Sequence, residues 1–350
     1  MRRLRKENIT RKRIALVAVV AVVGGGALLR RASTAEAAGK SLELLNVSYD
    51  PTRELWRDIN DHFIPQYAKD AGVSLTIKQS HGGSGAQARA IVDGLDADVA
   101  TLALWPDTEA IRKAGLIANG WEQRLPNNSV AYTSTIVFVV RKGNPKGIKD
   151  WPDIVKPGVE IVTPNPKTSG NGKLSLLAAW GSVTQRGGTE EQAKEFITKL
   201  YKQTPVLDSG ARGSTTTFSQ KKIGDVHLTW ENEAYPEVAE SNGELEVVYP
   251  PISILAEPPL AVVDANVRRK GTRDAAEAYL KFLYTKEGQE IIAKNYYRPI
   301  DPAVLQQHAA TFREIRLFPI TAIASNWTDA YNKFFADGKI FDSIYQPGGK

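Results

Sequence analysis

Hydrophobic and polar positions along the chain predict short strands that alternate with amphipathic helices. The apolar run at residues 42–48 predicts a strand, and the segment that follows it has helical periodicity. In that segment Leu55, Ile59, Phe63 and Tyr67 recur every four residues and define one apolar helix face. A helical pair is predicted later in the chain, at residues 275–284 and 287–293. This alternation predicts an α/β fold with open sheets.

Four predicted strands end in loops of small polar residues that lead into predicted helices. The strands lie at residues 42–48, 74–79, 159–163 and 206–208. After the last of them a helix is predicted at residues 215–222, and a further strand at residues 225–230. In the first loop, Asp50 is predicted as the helix N-cap and Pro51 as the first helical residue. Open α/β sheets bind ligands beyond the carboxyl ends of their strands, where helix N-termini offer unpaired N–H groups. Four such loops predict a cage for an anion, although Gly, Ser and Asn also serve as ordinary turn residues.

Length and composition narrow the class of protein. The 350 residues suggest two domains, and 42% hydrophobic with 24% charged residues is ordinary globular composition. The sequence has no Cys, which excludes disulfides, thiolate metal sites and cysteine nucleophiles. It has four widely separated His, so a histidine metal site is not predicted.

The net charge of +6 belongs to the N-terminal segment. Residues 1–38 carry nine Lys or Arg and two Glu, so the remaining chain has 36 basic and 37 acidic side chains and a net charge of −1. The chain after residue 38 has no cluster of basic residues that could bind a nucleic-acid phosphate backbone, so no nucleic-acid partner is predicted.

Residues 1–38 are predicted to be an export signal. A cationic stretch to Arg13 precedes an apolar run at residues 14–29 and a small-residue segment, Ala35-Glu36-Ala37-Ala38. The alternative is an uncleaved leader that tethers the protein to the membrane, with Arg30-Arg31 as a stop. Export with cleavage is favoured because the run is shorter than the ~20 residues that a spanning helix needs.

Two motifs resemble those of enzymes but are incomplete. Residues 169–175 resemble a phosphate-binding loop, yet Leu174 follows Gly172-Lys173 where Ser or Thr is required. Residues 82–86 lack the second Gly of a nucleophile elbow, and Ser84 has only His81 nearby in sequence as a base. The chain is therefore predicted not to be an enzyme.

Seven stretches resemble one known family. They are LLNVSYDPTREL (44–55), QSHGGSG (79–85), TSTIVFVVRKGNPK (133–146), TPNPKTSGN (163–171), LDSGARGST (207–215), WENEA (230–234) and SILAEP (253–258). In this order they resemble the sulfate/thiosulfate-binding family, the periplasmic proteins that serve ABC importers. The resemblance covers residues 42 to about 342.

The resemblance implies a fold and a set of ligand contacts. The implied fold is α/β, two-lobed and periplasmic-binding-protein-like (class II), with the ligand in the interlobe cleft and no cofactor. Lobe 1 is expected to take residues 41–132 and 253–298, and lobe 2 residues 133–252 and 299–350. The implied sulfate contacts are the backbone N–H groups of Asp50, Ser84, Gly170, Asn171 and Ala211, the hydroxyl of Ser169 and the indole N–H of Trp230.

One position departs from the family pattern. Asn171 stands where the sulfate branch usually has a second Gly, and its side chain would crowd the pocket if the position required a positive φ. Residues 166–171 also resemble the thiosulfate branch, whereas residues 209–214 and Trp230 resemble the sulfate branch. Sulfate is therefore ranked above thiosulfate, and binding of both stays open.

The resemblance also implies partners and a location. The protein is expected to be a periplasmic monomer that delivers sulfate to the permease subunits of an ABC transporter. The alternatives are a thiosulfate-binding protein of the same system, a scavenging sulfoester hydrolase and a membrane-tethered receptor without a transport role.

Overall fold

The computed structural model describes residues 41–345, in which strands and helices alternate as the sequence predicts. The strands are β1 Ser41–Tyr49, β2 Ser74–Gly82, β3 Val99–Thr101, β4 Tyr132–Thr133, β5 Ile136–Arg141, β6 Ile161–Val162, β7 Val226–Trp230, β8 Leu245–Val248, β9 Ile252–Ile254, β10 Leu260–Val262, β11 Arg298–Pro299 and β12 Arg316–Phe318. The helices are α1 Arg53–Ala71, α2 Ser84–Val92, α3 Trp105–Lys113, α4 Pro126–Ser129, α5 Trp151–Ile154, α6 Gly170–Thr184, α7 Glu190–Lys202, α8 Ala211–Thr215, α9 Glu231–Glu240, α10 Asp264–Lys270, α11 Arg273–Phe282, α12 Lys286–Lys294, α13 Pro302–Gln307, α14 Trp327–Phe334 and α15 Ile340–Ile344.

The predicted export signal at residues 1–38 lies outside the described residues. Within residues 41–345, none of the helices has both the length and the apolar character needed to cross a membrane.

The first four-stranded sheet has the order β10-β3-β1-β2. Strand β1 pairs in parallel with β2 and β3, while β10 pairs antiparallel with β3. Side chains alternate across β1, so that Leu44 enters one hydrophobic cluster and Val47 another on the opposite face. The sheet is therefore covered by helices on both faces, as parallel strands require.

The second four-stranded sheet has the order β6-β7-β5-β8. Strand β5 lies between β7 and β8, antiparallel to both, and β6 runs parallel to β7. Helix α6 packs beside this sheet, and its Leu174, Leu177 and Trp180 belong to a large hydrophobic cluster. This cluster places the start of α6 next to the end of β7.

Short strand pairs connect distant parts of the chain. Strand β4 pairs antiparallel with β11, and β9 pairs in parallel with β12. Ile252 and Ile254 of β9 belong to the same hydrophobic cluster as α6. The division into two lobes stays a prediction.

Three local predictions differ from the structure. Residues 206–208 are irregular instead of a strand, because the Asp208 carbonyl accepts one bond from Asn165 N, at 2.8 Å, without a ladder. Asp50 does not cap a helix: it begins a short 3-10 turn, and its carboxylate pairs with Arg53. The helix predicted from Thr215 begins at Ala211 as α8 and continues as a π-helical turn, Thr216–Gln220. The helical pair predicted near the C-terminal end is confirmed as α11 and α12.

Candidate functional site

A small cavity lies where the two sheets approach each other. It is bordered by the ends of β1, β2 and β7 and by the starts of α2, α6 and α8. All seven residues expected to contact the ligand line it, together with four more. The lining residues are Tyr49, Asp50, Pro51, Gly82, Gly83, Ser84, Ser169, Gly170, Asn171, Ala211 and Trp230.

Four of the lining residues begin a helix or a helical turn. Ser84, Gly170 and Ala211 are the first residues of α2, α6 and α8, and Asp50 begins the 3-10 turn that leads into α1. The first N–H groups of a helix have no acceptor within that helix. They also lie at the positive end of the helix dipole, so the cavity wall is rich in hydrogen-bond donors and electropositive.

Two glycines allow these helix starts to lie so close together. A Cβ atom at Gly170 would lie 2.5 Å from Ala103 Cβ, and one at Gly83 would lie 2.8 Å from the Thr168 carbonyl oxygen. Contacts this short are closer than real Cβ atoms allow. Gly83 therefore permits the start of α2 to meet the Thr168 backbone, and Gly170 permits the start of α6 to meet the Ala103 methyl group.

Trp230 supplies a buried donor without a partner. Its side chain is fully buried, and its indole Nε1 has no hydrogen-bond partner among the described residues. Leaving a buried donor unsatisfied costs about 1 to 3 kcal/mol. A buried indole N–H at the wall of a cavity therefore favours a ligand that offers an acceptor there.

Ser169 and Asn171 direct their side chains in different ways. Ser169 is the N-cap of α6, and its Oγ accepts a bond from Gly172 N at 3.4 Å, which leaves the hydroxyl proton able to donate elsewhere. Asn171 lies within α6, and its backbone is not in the positive-φ region. Its Nδ2 donates to the Leu228 carbonyl at 3.0 Å. Asn171 was expected to crowd the cavity only if its position required a positive φ, and the structure shows that it does not.

Charged side chains bind the loops around the cavity to each other. The Arg53 guanidinium pairs with the Asp50 carboxylate at 2.9 Å. Arg212, directly after Ala211, pairs with Glu54 at 2.7 Å and with Glu233 at 2.8 Å. The cavity lining contains no Lys, Arg or His. The Arg side chains therefore connect the loops to each other and do not line the cavity. Burial raises the pKa of Glu233 to about 8, although the charge of Arg212 acts to lower it.

A buried ion pair that was not predicted from the sequence lies next to the site. Asp107 accepts a hydrogen bond from Ser84 Oγ at 2.5 Å, and Lys173 Nζ lies 3.5 Å from the other Asp107 oxygen. Lys173 is 3% exposed and Asp107 7% exposed. No local pattern predicts this pair, because α3 and α6 are distant in sequence. Tyr49 was likewise not predicted to line the site, although its position directly before Asp50, a predicted ligand contact, could have indicated it.

The structure places the enzyme-like side chains in other interactions. The Ser84 hydroxyl donates to Asp107 and accepts from Ala103 N at 3.0 Å. The His81 ring bonds Ser48 Oγ at 2.6 Å, and burial, followed by the charge of Arg53, lowers the pKa of His81 to about 4. Ser84 and His81 therefore do not form a nucleophile and base. Among residues 41–345, no group of three or more His, Asp or Glu could hold a metal ion.

Comparisons with known proteins agree on one family. Residues 52–298 match the family model described as bacterial extracellular solute-binding protein. The chain is 51% identical over 307 residues to the sulfate-binding protein of Escherichia coli K12, an alignment that covers 87% of this chain and 93% of that protein. It is 50% identical over 313 residues to the thiosulfate-binding protein of Pseudomonas aeruginosa, covering 89% of this chain and 94% of the other.

A solved structure has a similar fold. The sulfate-binding protein SubI from Mycobacterium tuberculosis H37Rv superposes with a TM-score of 0.76 at 30% sequence identity. The superposition covers 83% of this chain and 98% of that chain. The likeness therefore extends over nearly the whole of that protein.

Proposed function

The chain belongs to the family of bacterial extracellular solute-binding proteins, and on that premise we propose that it captures sulfate between two lobes and delivers it to an ABC importer. Its fold is the two-lobed class II α/β fold of these proteins. In the proposal, lobe 1 takes residues 41–132 and 253–298, and lobe 2 takes residues 133–252 and 299–350. The observation that carries the proposal is the cavity between the sheets, whose wall offers donors for an anion.

The donor set suits a fully ionised oxyanion. Sulfate at neutral pH has acceptor oxygens and no proton to donate. The proposed contacts are five backbone N–H groups, the Ser169 hydroxyl and the Trp230 indole N–H, all at residues that line the cavity. A hydrogen bond to a charged group contributes about 1.5 to 3 kcal/mol net, so seven donors support micromolar or tighter binding after ordering costs.

The same donor set is expected to discriminate against phosphate. Phosphate carries a proton at pH 7, and that O–H would face further donors in place of an acceptor. An unpaired polar group costs about 1 to 3 kcal/mol, and two mismatches predict binding at least about 100-fold weaker than that of sulfate.

Calorimetric titration of the chain without its export signal, with sulfate, thiosulfate, phosphate and molybdate, tests the proposal. Tight binding of sulfate and weak binding of phosphate are expected at pH 7. Equal affinity for sulfate and phosphate would refute a wall made only of donors.

Thiosulfate is the second candidate ligand. The 50% identity to a thiosulfate-binding protein favours it, as does the stretch at residues 166–171. Thiosulfate replaces one oxygen by a larger sulfur, which is a weaker acceptor, so the small cavity is expected to favour sulfate. The thiosulfate arm of the titration decides between the two.

The proposal includes a place and a mode of action. The protein is exported by residues 1–38, acts in the periplasm as a monomer and presents sulfate to permease subunits without turning it over. Growth on limiting sulfate, compared between cells with and without the gene, tests the transport role. Release of sulfate from a sulfoester by the purified chain would instead support the hydrolase alternative.

A further inference from the structure

Tyr49 lies against Trp230 at the wall of the cavity. Tyr49 is the last residue of β1 and Trp230 the last residue of β7, so the pair joins the two sheets. Their ring centroids are 5.4 Å apart at an interplanar angle of 41°, and both side chains are buried. The indole of Trp230 has no hydrogen-bond partner among the described residues, so packing contacts orient its ring.

The backbone at Trp230 is held independently of Tyr49. Glu231 N donates to the Thr135 carbonyl at 2.9 Å, and the Glu231 carboxylate accepts two bonds from Arg298 at 2.6 and 2.8 Å. These contacts fix where the Trp230 side chain begins. The two side-chain torsions of Trp230 are not fixed by these backbone contacts and depend on the side chains packed against the indole, among them Tyr49.

The far end of Tyr49 is enclosed by two other tyrosines. Its hydroxyl lies close to those of Tyr132, on β4, and Tyr297, which directly precedes β11. The rings of Tyr132 and Tyr297 meet edge to face at 4.8 Å, and the Tyr297 hydroxyl donates to the Pro51 carbonyl at 2.9 Å. Burial, followed by these two neighbouring hydroxyls, raises the pKa of Tyr49 well above its usual range. Tyr49 is therefore a neutral side chain whose hydroxyl has no hydrogen-bond partner among the described residues, and packing holds its buried ring against the indole.

We propose that Tyr49 is a positioning residue that holds the Trp230 indole in the orientation from which its N–H reaches the bound anion. The inference rests on the proposed function, because it assigns to Trp230 a bond with the oxyanion. It predicts that Tyr49 acts on binding through Trp230, so the effects of substituting the two residues are coupled.

A double-mutant cycle with sulfate titration tests the coupling. Tyr49→Leu removes the aromatic ring and is expected to weaken sulfate binding about 10-fold. This effect should not exceed the effect of losing the hydrogen bond from the Trp230 indole to sulfate. In a Trp230→Phe background the same Tyr49→Leu change is expected to alter the affinity less than about twofold. Tyr49→Phe keeps the ring and is expected to stay within about threefold of the wild type.

The chain contains a matched control pair. Trp56 and Tyr279 are fully buried, with ring centroids 5.2 Å apart at 44°, and neither lines the cavity. Tyr279→Leu therefore removes a similar packing contact between aromatic rings, together with the hydrogen bonds of the Tyr279 hydroxyl with Asn60 and Gln79. It is expected to lower thermal stability while leaving sulfate affinity unchanged.

Each outcome has a separate meaning. Equal weakening by Tyr49→Leu with and without the Trp230 indole would overturn the inference, because Tyr49 would then act through another contact such as Asp50 N–H. A large loss in Tyr49→Phe would assign the effect to the hydroxyl and also overturn it. If Tyr49→Leu does not fold, Tyr49→Met, which fills similar space with a flexible chain, takes its place in the cycle. A wild-type chain that does not bind sulfate would refute the proposed function and, with it, this inference.

Discussion

Individual buried polar groups determine what the cavity can bind. The Ser84 hydroxyl already donates its hydrogen bond to Asp107, so only the backbone N–H of Ser84 can donate to a ligand. The Trp230 indole N–H, in contrast, has no partner among the described residues. Because an unpaired buried donor is costly, its position at the cavity wall favours a ligand that accepts a hydrogen bond there.

Trp230→Phe is expected to weaken sulfate binding by about 10- to 100-fold. The substitution keeps most of the apolar volume and removes one hydrogen bond to a charged ligand. The melting temperature of the ligand-free protein should change little, because the indole N–H bonds no described protein group. Calorimetry and thermal unfolding measure the two effects, and an unchanged sulfate affinity would place Trp230 outside the site.

Asn171→Gly restores the residue that the sulfate branch usually has at this position. It removes the bond from Asn171 Nδ2 to the Leu228 carbonyl and is expected to lower the free energy of unfolding by about 1 kcal/mol. Sulfate affinity should stay within about threefold, because the side chain is engaged with Leu228 and the backbone N–H is retained. Urea unfolding and titration test this, and a large gain in affinity would show that Asn171 crowds the ligand.

At the scale of elements, the cavity exists because helix starts from different parts of the chain meet without side chains between them. Helix α2 begins beside the loop that precedes α6. The N-cap of α2, Gly83, has φ −59° and ψ 130°, a conformation open to any residue. The need for Gly there is steric and arises from the neighbouring loop.

Gly83→Ala is expected to weaken sulfate binding at least about fivefold. Its Cβ would lie 2.8 Å from the Thr168 carbonyl oxygen, and relieving such overpacking costs about 1 to 3 kcal/mol. Gly85→Ala is the control, because Gly85 does not line the cavity and the nearest atom to its Cβ would be Asp107 Oδ1 at an ordinary 3.6 Å. Similar affinities for the two variants would mean that the approach of α2 to this loop does not govern binding.

The end of strand β2 is expected to make stability depend on pH. Burial and Arg53 lower the pKa of His81 to about 4, whereas Asp50 and Glu54 act weakly in the opposite direction. The unfolded chain therefore binds a proton more readily than the folded chain between pH ~6.5 and ~4. The stability that neutral His81 contributes is present above pH ~6.5 and is lost as the pH falls through this window.

Melting temperatures measured from pH 7 to pH 4.5 test the contribution of His81. The fall in melting temperature should be smaller in His81→Asn than in the wild type. His62→Asn is the control, since His62 is an exposed residue paired with Glu287. An equal pH dependence in His81→Asn and in the wild type would contradict the assignment.

At the scale of the whole molecule, the two sheets share one hydrophobic cluster. Tyr49, Ala103 and Leu104, from the side of the first sheet, pack in the same cluster as Ala211 and Trp230. In the proposed two-lobed protein, these contacts and the full set of donors exist together only when the lobes are closed. Ligand binding is therefore expected to favour the closed form by its differential affinity.

Small-angle scattering with and without sulfate tests this closure. The radius of gyration is expected to decrease when sulfate is added, with binding verified by calorimetry on the same sample. Chloride at matched ionic strength is the control for salt effects. A radius of gyration that stays constant while sulfate binds would reject ligand-driven closure and leave a preformed anion pocket.

The sequence by itself determined the features that depend on neighbouring residues. Strand β1 and the presence of helices after β1, β2 and β6 follow from local apolar runs and from Gly, Ser and Pro near helix starts. The candidate ligand residues were predicted by resemblance, and all of them line one cavity. The predicted strand at residues 206–208 was wrong because an apolar run is a local signal, whereas a strand needs a partner elsewhere in the chain.

Only the tertiary structure decided which distant groups meet around the cavity. Lys173 meets Asp107 across 66 positions, and Arg212 meets Glu54 across 158. The contact of Tyr49 with Trp230 likewise joins strands of two different sheets. Such pairs carry no periodic signal, because they depend on how the chain returns between the sheets. The physical reason is that local pattern sets the backbone conformation of each segment, while the packing of the segments sets which side chains share a buried site.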